Sequence, residues 1–278
     1  MPAFTWISTA NVIEHLGGKV IFCDIDLNTF NIDLDKIEEK ITKRTKAILP
    51  VHLFGLPVEM DPVLEIAQKH NLLVVEDAAC GFGSRYKENH VGTLGNAGCF
   101  SFHPRKSITT GEGGMITTND HLLAEKLQIL RDHGASMSDL QRHLGNRPYL
   151  LSDHPEAGYN QRMTDIQGAL GSSQMDRASQ ILLERKRLAE RYDEAFKDLK
   201  WLRIPWREKS FEHAYQSYPC LFGINPHAPN SVAIANKFRN QWMDNLFKEG
   251  ISTRPATHAV HMLSLIHISE PTRQAEMG

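Results

Sequence analysis

Lys106 is the side chain best placed to do chemistry in this sequence. It sits between Cys99 and Gly114, after Phe100, Ser101, Phe102 and His103 and before a stretch rich in Ser, Thr and Gly. Upstream, the apolar run from Leu72 to Val75 ends in Glu76 and Asp77, followed by Ala78, Ala79 and Cys80. A lysine amine is a nucleophile toward carbonyl carbon and, once released, a carrier of protons. A carboxylate at a strand end lies where open α/β sheets bind ligands. Such a carboxylate can keep a ring nitrogen protonated, and the lysine can form a Schiff base, which is the pairing pyridoxal phosphate chemistry needs. If the strand pleat persists, Glu76 and Asp77 point to opposite faces, and Asp77 is the preferred partner for the ring. Asp77 can also cap the segment that follows it.

Strands and helices alternate around these residues. Short apolar runs predict strands at 20–24, 47–54, 72–76, 98–102 and 114–118. Helical spacing predicts helices over 33–41, 61–70 with Asp61 as cap, and 121–132. Gly111, Gly113 and Gly114 supply tight turns beside the lysine. This alternation argues for a mostly parallel sheet with helices on both faces. Periodicity lapses over 136–158. A long helical pattern from Thr164 to Leu199 links residues 1–163, the large domain, to a smaller C-terminal domain over 200–262. The smaller domain is predicted to hold a strand from Tyr215 to Phe222, a turn at Pro226 to Pro229 and a helix from Ser231 to Glu249.

The composition bounds the function classes. The chain has 278 residues, 41% of them hydrophobic, enough for a sizeable core. A net charge of -2 gives no electrostatic case for nucleic acid or an anionic membrane. Cys23, Cys80, Cys99 and Cys220 are widely spaced, have no metal-ligand pattern and suit reduced thiols. No apolar run approaches the ~20 residues of a membrane helix, and a cytoplasmic location is expected.

Several segments, taken in order, resemble the DegT/DnrJ/StrS family of sugar aminotransferases. They are Pro2 to Trp6, Thr42 to Gly55, Glu76 to Gly114, Gly158 to Asp165, His213 to Tyr218 and Gly250 to Pro255. The resemblance spans Pro2 to about Leu263. It implies an α/β fold, the type I fold of PLP-dependent aminotransferases, with a mostly parallel large domain and an incomplete, smaller α+β C-terminal domain.

The resemblance also implies roles. Lys106 would hold pyridoxal 5'-phosphate and shuttle the proton, and Asp77 would pair with the pyridine nitrogen. Trp6 would stack on the ring. Ser101 would hydrogen-bond the phosphate, and Asn160 would reach that phosphate from the partner subunit of a homodimer. Asn160 otherwise reads as a turn residue after Gly158. Many relatives have Gln or His at the place of Cys80, contacting the ring hydroxyl, and a thiol is a poorer partner there. Arg254 can face substrate phosphates or make a structural salt bridge. His52, His103, His258 and His261 fall in matching segments, but they are four of 14 histidines and carry no separate argument.

The implied activity is transfer of an amino group from glutamate to a keto-sugar nucleotide, closest in its 250–261 segment to perosamine synthases. A PLP-dependent sugar dehydratase is the alternative within the family. Those enzymes replace the lysine with histidine, so Lys106 argues against it. A non-catalytic fragment or interaction protein on the same fold is the alternative outside it. Relatives carry a Ser-Gly-Thr-Ala phosphate-binding turn upstream of the Pro2 segment, so an internal fragment is expected, with little or no activity by itself. Leu263 to Arg273 reads as a translated sequencing adapter. The natural chain is therefore expected to end near Met262, and residues 264–278 to stay unpacked.

Overall fold

The computed structural model describes residues 1–137, 149, 151–222 and 231–263. The adapter-like residues 264–278 and the turn at Pro226 to Pro229 lie outside the described residues. In chain order come β1 (Phe4–Thr5), α1 (Ser8–His15), β2 (Ala47–Ile48), α2 (Met60–His70), β3 (Leu73–Asp77), β4 (Arg85–Tyr86), β5 (Asn89–His90), β6 (Ala97–Ser101) and β7 (Gly114–Thr117). Then follow α3 (His121–Arg131), α4 (Asp165–Asp176), α5 (Ala178–Phe196), β8 (Leu202–Arg203), β9 (Phe211–Glu212), β10 (Leu221–Phe222), α6 (Ser231–Lys248) and β11 (His258–Ala259).

The central sheet has the order β2-β3-β6-β7. β2, β3 and β6 are parallel, and β7 returns antiparallel to β6. β3 is the axis of the arrangement. Its residues alternate in burial, with Val74 and Glu76 sealed on one face and Val75 and Asp77 half-buried on the other. That is the period-two pattern of a pleated strand. α2 covers the sheet through Met60, Val63 and Ala67, at helical spacing, and they join Ile48, Val58 and Val74 in the main core. Each large side chain so buried stabilises the fold by about 2 kcal/mol. Asn71 closes α2 in the left-handed conformation.

Several expected elements take another form. Residues 20–24 are no strand: Cys23 makes one isolated bridge to Pro2, and a proline has no N–H to extend the ladder. The 33–41 helix is two 3-10 turns, Leu34–Lys36 and Glu38–Lys40, with buried Ile37 between them. The 47–54 strand stops at Ile48, before Pro50; Val51 adds one bridge to Asp77, and a 3-10 turn follows over Leu53–Gly55. Glu59, not Asp61, occupies the α2 cap position, and Asp61 pairs with Lys87. The long helix is two helices broken at Arg177, whose backbone leaves helical geometry. The 215–222 strand shrinks to β10, because Tyr215 has a positive φ of 49° that no strand accommodates.

The segment after α6 returns to the start of the chain. β11 pairs with β1 in the register Phe4↔Ala259 and Thr5↔His258. Val260, fully buried, packs with Ala10 and Val20.

Candidate functional site

The C-terminal end of β3 carries two carboxylates on opposite faces, as the pleat requires. Glu76 is fully buried beside His52. His52 Nδ1 accepts the Val58 N–H at 3.0 Å, so Nε2 carries the proton and donates it to Glu76 Oε2 at 2.9 Å. Three backbone amides complete the shell, those of Gly92 (2.7 Å), Leu94 (2.8 Å) and Gly95 (2.6 Å). Burial pushes the Glu76 carboxyl up. The His52 hydrogen bond, together with the Gly95 and Gly92 amides, outweighs it and holds the carboxyl below the usual glutamate range. A carboxylate so saturated has no room for a ligand. It clamps the 92–95 turn onto β3.

That turn is pressed hard against β6. A Cβ at Gly98 would lie 2.2 Å from the Gly92 carbonyl oxygen, and Gly92 itself has a φ of +82°. Both positions require glycine, one for space and one for backbone.

Asp77 is half-buried on the other face. Its Oδ2 accepts the Thr9 hydroxyl at 2.6 Å, and its Oδ1 accepts the Ala79 N–H at 3.1 Å. A carboxylate offers about four acceptor positions, so Asp77 keeps capacity for a further donor. Thr9 was not singled out in the sequence. A threonine two residues into a helix carries no signal by itself; the nearest pointer was the matching segment Pro2 to Trp6, which ends three residues before it.

Lys106 reaches the same rim. Its Nζ donates to Cys80 Sγ at 3.2 Å. Burial pushes the Cys80 thiol up, against the charge and hydrogen bond of Lys106. Cys80 is therefore a neutral sulfur that accepts from the ammonium. The loop bearing Lys106, residues 102–113, spans the β6–β7 hairpin and closes on itself. Phe102 N–H donates to Gly113 O at 2.9 Å, and the Thr110 N–H and Thr109 hydroxyl return to Phe102 O. From the far side, Gln216 Nε2 donates to the carbonyl of Arg105 at 3.0 Å.

The remaining candidates are arranged less tightly. Trp6 is 58% exposed, edge-on to His258 with ring centroids 5.2 Å apart. Ser101 Oγ accepts the His103 N–H at 3.3 Å and keeps its own proton to donate. The backbone around Asn160 is bonded to the end of α3, with Tyr159 N–H donating to Leu130 O and Gln161 N–H to Arg131 O, while the Asn160 side chain stands exposed. Arg254 is also exposed. Among the described residues, no hydrogen bond joins Asn160 or Arg254 to the Lys106–Asp77 group.

The donor set fits pyridoxal phosphate. An amine, an ionisable carboxylate with spare acceptor capacity and a free serine proton lie at or just beyond the C-terminal ends of the neighbouring strands β3 and β6. Ser107 Oγ, next to the lysine, is buried with no hydrogen-bond partner among the described residues, a polar atom that a ligand could satisfy.

Known proteins resemble this chain in sequence and fold. The profile of the DegT/DnrJ/EryC1/StrS aminotransferase family matches residues 1–276. The chain belongs to this family, and its fold is the type I fold of PLP-dependent aminotransferases. It is 39% identical over 264 residues to the GDP-perosamine synthase of Caulobacter vibrioides, covering 95% of this chain and 66% of that one. Among solved structures, the PseC aminotransferase of Helicobacter pylori, involved in the biosynthesis of pseudoaminic acid, superposes with a TM-score of 0.84 at 30% identity, over 95% of this chain and 66% of that one. The GDP-4-keto-6-deoxy-D-mannose-3-dehydratase of E. coli, solved with bound hydrated PLP, superposes with a TM-score of 0.78 at 29% identity, over 92% and 65%. The chain thus spans just under two thirds of the length of the curated relatives it matches first, 64% and 66%.

Proposed function

We propose that the protein carrying this chain is a PLP-dependent aminotransferase that moves an amino group from glutamate to a keto-sugar nucleotide. One observation carries the reading. The Lys106 amine is bonded to Cys80, which lies three residues after Asp77, a strand-end carboxylate with spare acceptor capacity. The perosamine synthase relatives support a sugar-nucleotide acceptor. The glutamate donor follows from family resemblance.

When bound, pyridoxal phosphate supplies an electron sink that lets an amino group and a proton be exchanged at one carbon. Lys106 would anchor it and, as a free amine, would carry the proton between the donor carbon and the cofactor. Asp77 would accept a hydrogen bond from the ring nitrogen and favour its protonated form. Trp6 would cover one ring face, and Ser101 would donate to the phosphate. Asn160, exposed and held by its backbone, would donate from the partner subunit of a homodimer. Met115, Ile116, Ile166 and Leu170, exposed on β7 and α4, suit burial in such an interface. Arg254 would meet the phosphates of the sugar nucleotide. The division into a large domain, a helical link and a smaller domain near residue 200 belongs to the same proposal, as does a cytoplasmic location. Among the described residues, no helix is long and apolar enough to cross a membrane.

The dehydratase neighbour gives the second reading its footing. Lys106 favours the transferase, because a lysine can carry both the cofactor and the proton. The test uses the full gene product with pyridoxal phosphate, reduced with borohydride and mapped by mass spectrometry. A pyridoxyl group on Lys106 is expected; one on a different lysine overturns the assignment. Glutamate-dependent conversion of a keto-sugar nucleotide to an amino sugar distinguishes transfer from dehydration.

A further inference from the structure

We propose that Thr9 is a positioning residue for the reaction, acting through Asp77. The proposal rests on the reading of Asp77 as partner of the cofactor's ring nitrogen. The Thr9 hydroxyl donates to Asp77 Oδ2 at 2.6 Å, in the short range of hydrogen bonds to an ionised acceptor. Thr9 is only 6% exposed, so water does not compete freely for that bond.

The placement of Thr9 follows from α1. The residue ahead of this helix, Ile7, makes no side-chain cap bond, and the first turn contains no acidic residue. Helix N-termini favour negative charge. Asp77, arriving from β3, brings a carboxylate to the first turn, and Thr9 is the side chain that binds it. The two oxygens of Asp77 are thus gripped from two elements, Oδ1 by the Ala79 amide in its own segment and Oδ2 by α1. With Ala79 alone, the carboxylate could swing about its terminal bond. With Thr9 as well, its plane is fixed and its remaining acceptor positions are aimed.

The other titratable groups around Asp77 leave this role to a neutral donor. Cys99 lies opposite it in register on β6, and its thiol is pushed up by burial and by the Asp77 and Glu76 charges. Cys80 is a second neutral thiol, bonded to the Lys106 ammonium. Glu76 and His52 are engaged with each other on the opposite face. Thr9 orients Asp77 without adding a charge that would compete with a ring nitrogen.

The test compares Thr9→Val, Thr9→Ala and Thr9→Ser with the parent in the full gene product, loaded with pyridoxal phosphate labelled with 15N in the ring. The ring-nitrogen chemical shift is followed across pH, together with glutamate-dependent kcat. Loss of the hydroxyl in Thr9→Val or Thr9→Ala should leave the pyridoxyl map on Lys106 intact. It should lower kcat about tenfold, the scale of one hydrogen bond to a charged group. The ring nitrogen should also lose its proton at lower pH than in the parent. Thr9→Ser should restore both. Unchanged ring titration in both hydroxyl-free variants would overturn the proposal, as would a folded Thr9→Ser protein that behaves like Thr9→Val. A parent that carries no pyridoxyl group on Lys106 would instead overturn the reading of the site, and Thr9's role with it; the borohydride map tells the two failures apart.

Discussion

Glu76 and Asp77 are adjacent carboxylates on one strand, yet their surroundings differ in kind. Glu76 is closed off by an imidazole and three amides, and it faces the core. Asp77 is half-buried, held by one hydroxyl and one amide, and it faces Thr9 and the segment that leads to Cys80. The first arrangement satisfies a charge completely and turns it into structure. The second holds a charge in a fixed direction and leaves part of it unsatisfied, which is what a ligand needs. A one-residue step along a pleated strand separates the two roles.

The sharpest attack on this comparison is to remove the partner of the open side. In the full gene product, Lys106→Ala should lower glutamate-dependent turnover by at least about 10³-fold, since nucleophile and proton carrier are lost together. Single-turnover absorbance with added pyridoxal phosphate measures it. Asp77→Asn should cost about 10²-fold in turnover while cofactor content changes far less. Near-normal half-reaction rates would show that another acid serves the ring.

Glu76→Gln should reverse that pattern. It leaves a buried amide donor without an acceptor and should lower folding stability by about 3 kcal/mol. Urea titration reads this directly. A Glu76→Gln protein as stable as the parent but inactive would erase the distinction between the two carboxylates.

Acid should expose the sealed groups as well. His213 is buried and pushed down to about 3 by that burial and by Arg207, while its Nδ1 accepts the Tyr215 N–H. Its folded value is depressed, so its stabilisation is complete above the ordinary histidine value of 6.5 and is lost as pH falls toward about 3. Glu76 has the same sign at lower pH, below the ordinary glutamate range. Stability measured by urea should therefore fall on the order of a few kcal/mol from pH 7 to pH 4.5. His213→Asn should flatten that fall. Cys80→Ser is the mildest change, expected to alter turnover less than about threefold, because a hydroxyl can accept from Lys106 as the thiol does.

The lysine, its hairpin loop and the carboxylate at the strand end were legible in the sequence because they are contiguous motifs. The sheet was legible through its apolar runs. Two things were not. Residues 20–24 and 33–41 have the right residue types for regular elements, but their pairing partners are single bridges or tight turns, and tertiary context decides that. Thr9 and His52 act through contacts with β3, 68 and 24 residues away in sequence. A hydroxyl or an imidazole gives no spacing signal across such distances. The break at Arg177 also left no trace, since nothing in the residues around it forbids a helix.

The seam between Gly55 and residues 214–217 has a dynamic consequence. Ala214 N–H bonds to Gly55 O and Ser217 N–H to Phe54 O, while Gln216 holds the carbonyl that precedes Lys106. A Cβ at Gly55 would come within 3.1 Å of the Gln216 and Tyr215 nitrogens, so the two backbones lie in direct contact. Segments knit in this way tend to open and close as one cooperative unit. Exchange of the Ala214 and Ser217 amides with deuterium would then keep time with the Lys106 loop, a clock for the lysine placed more than a hundred residues downstream of it.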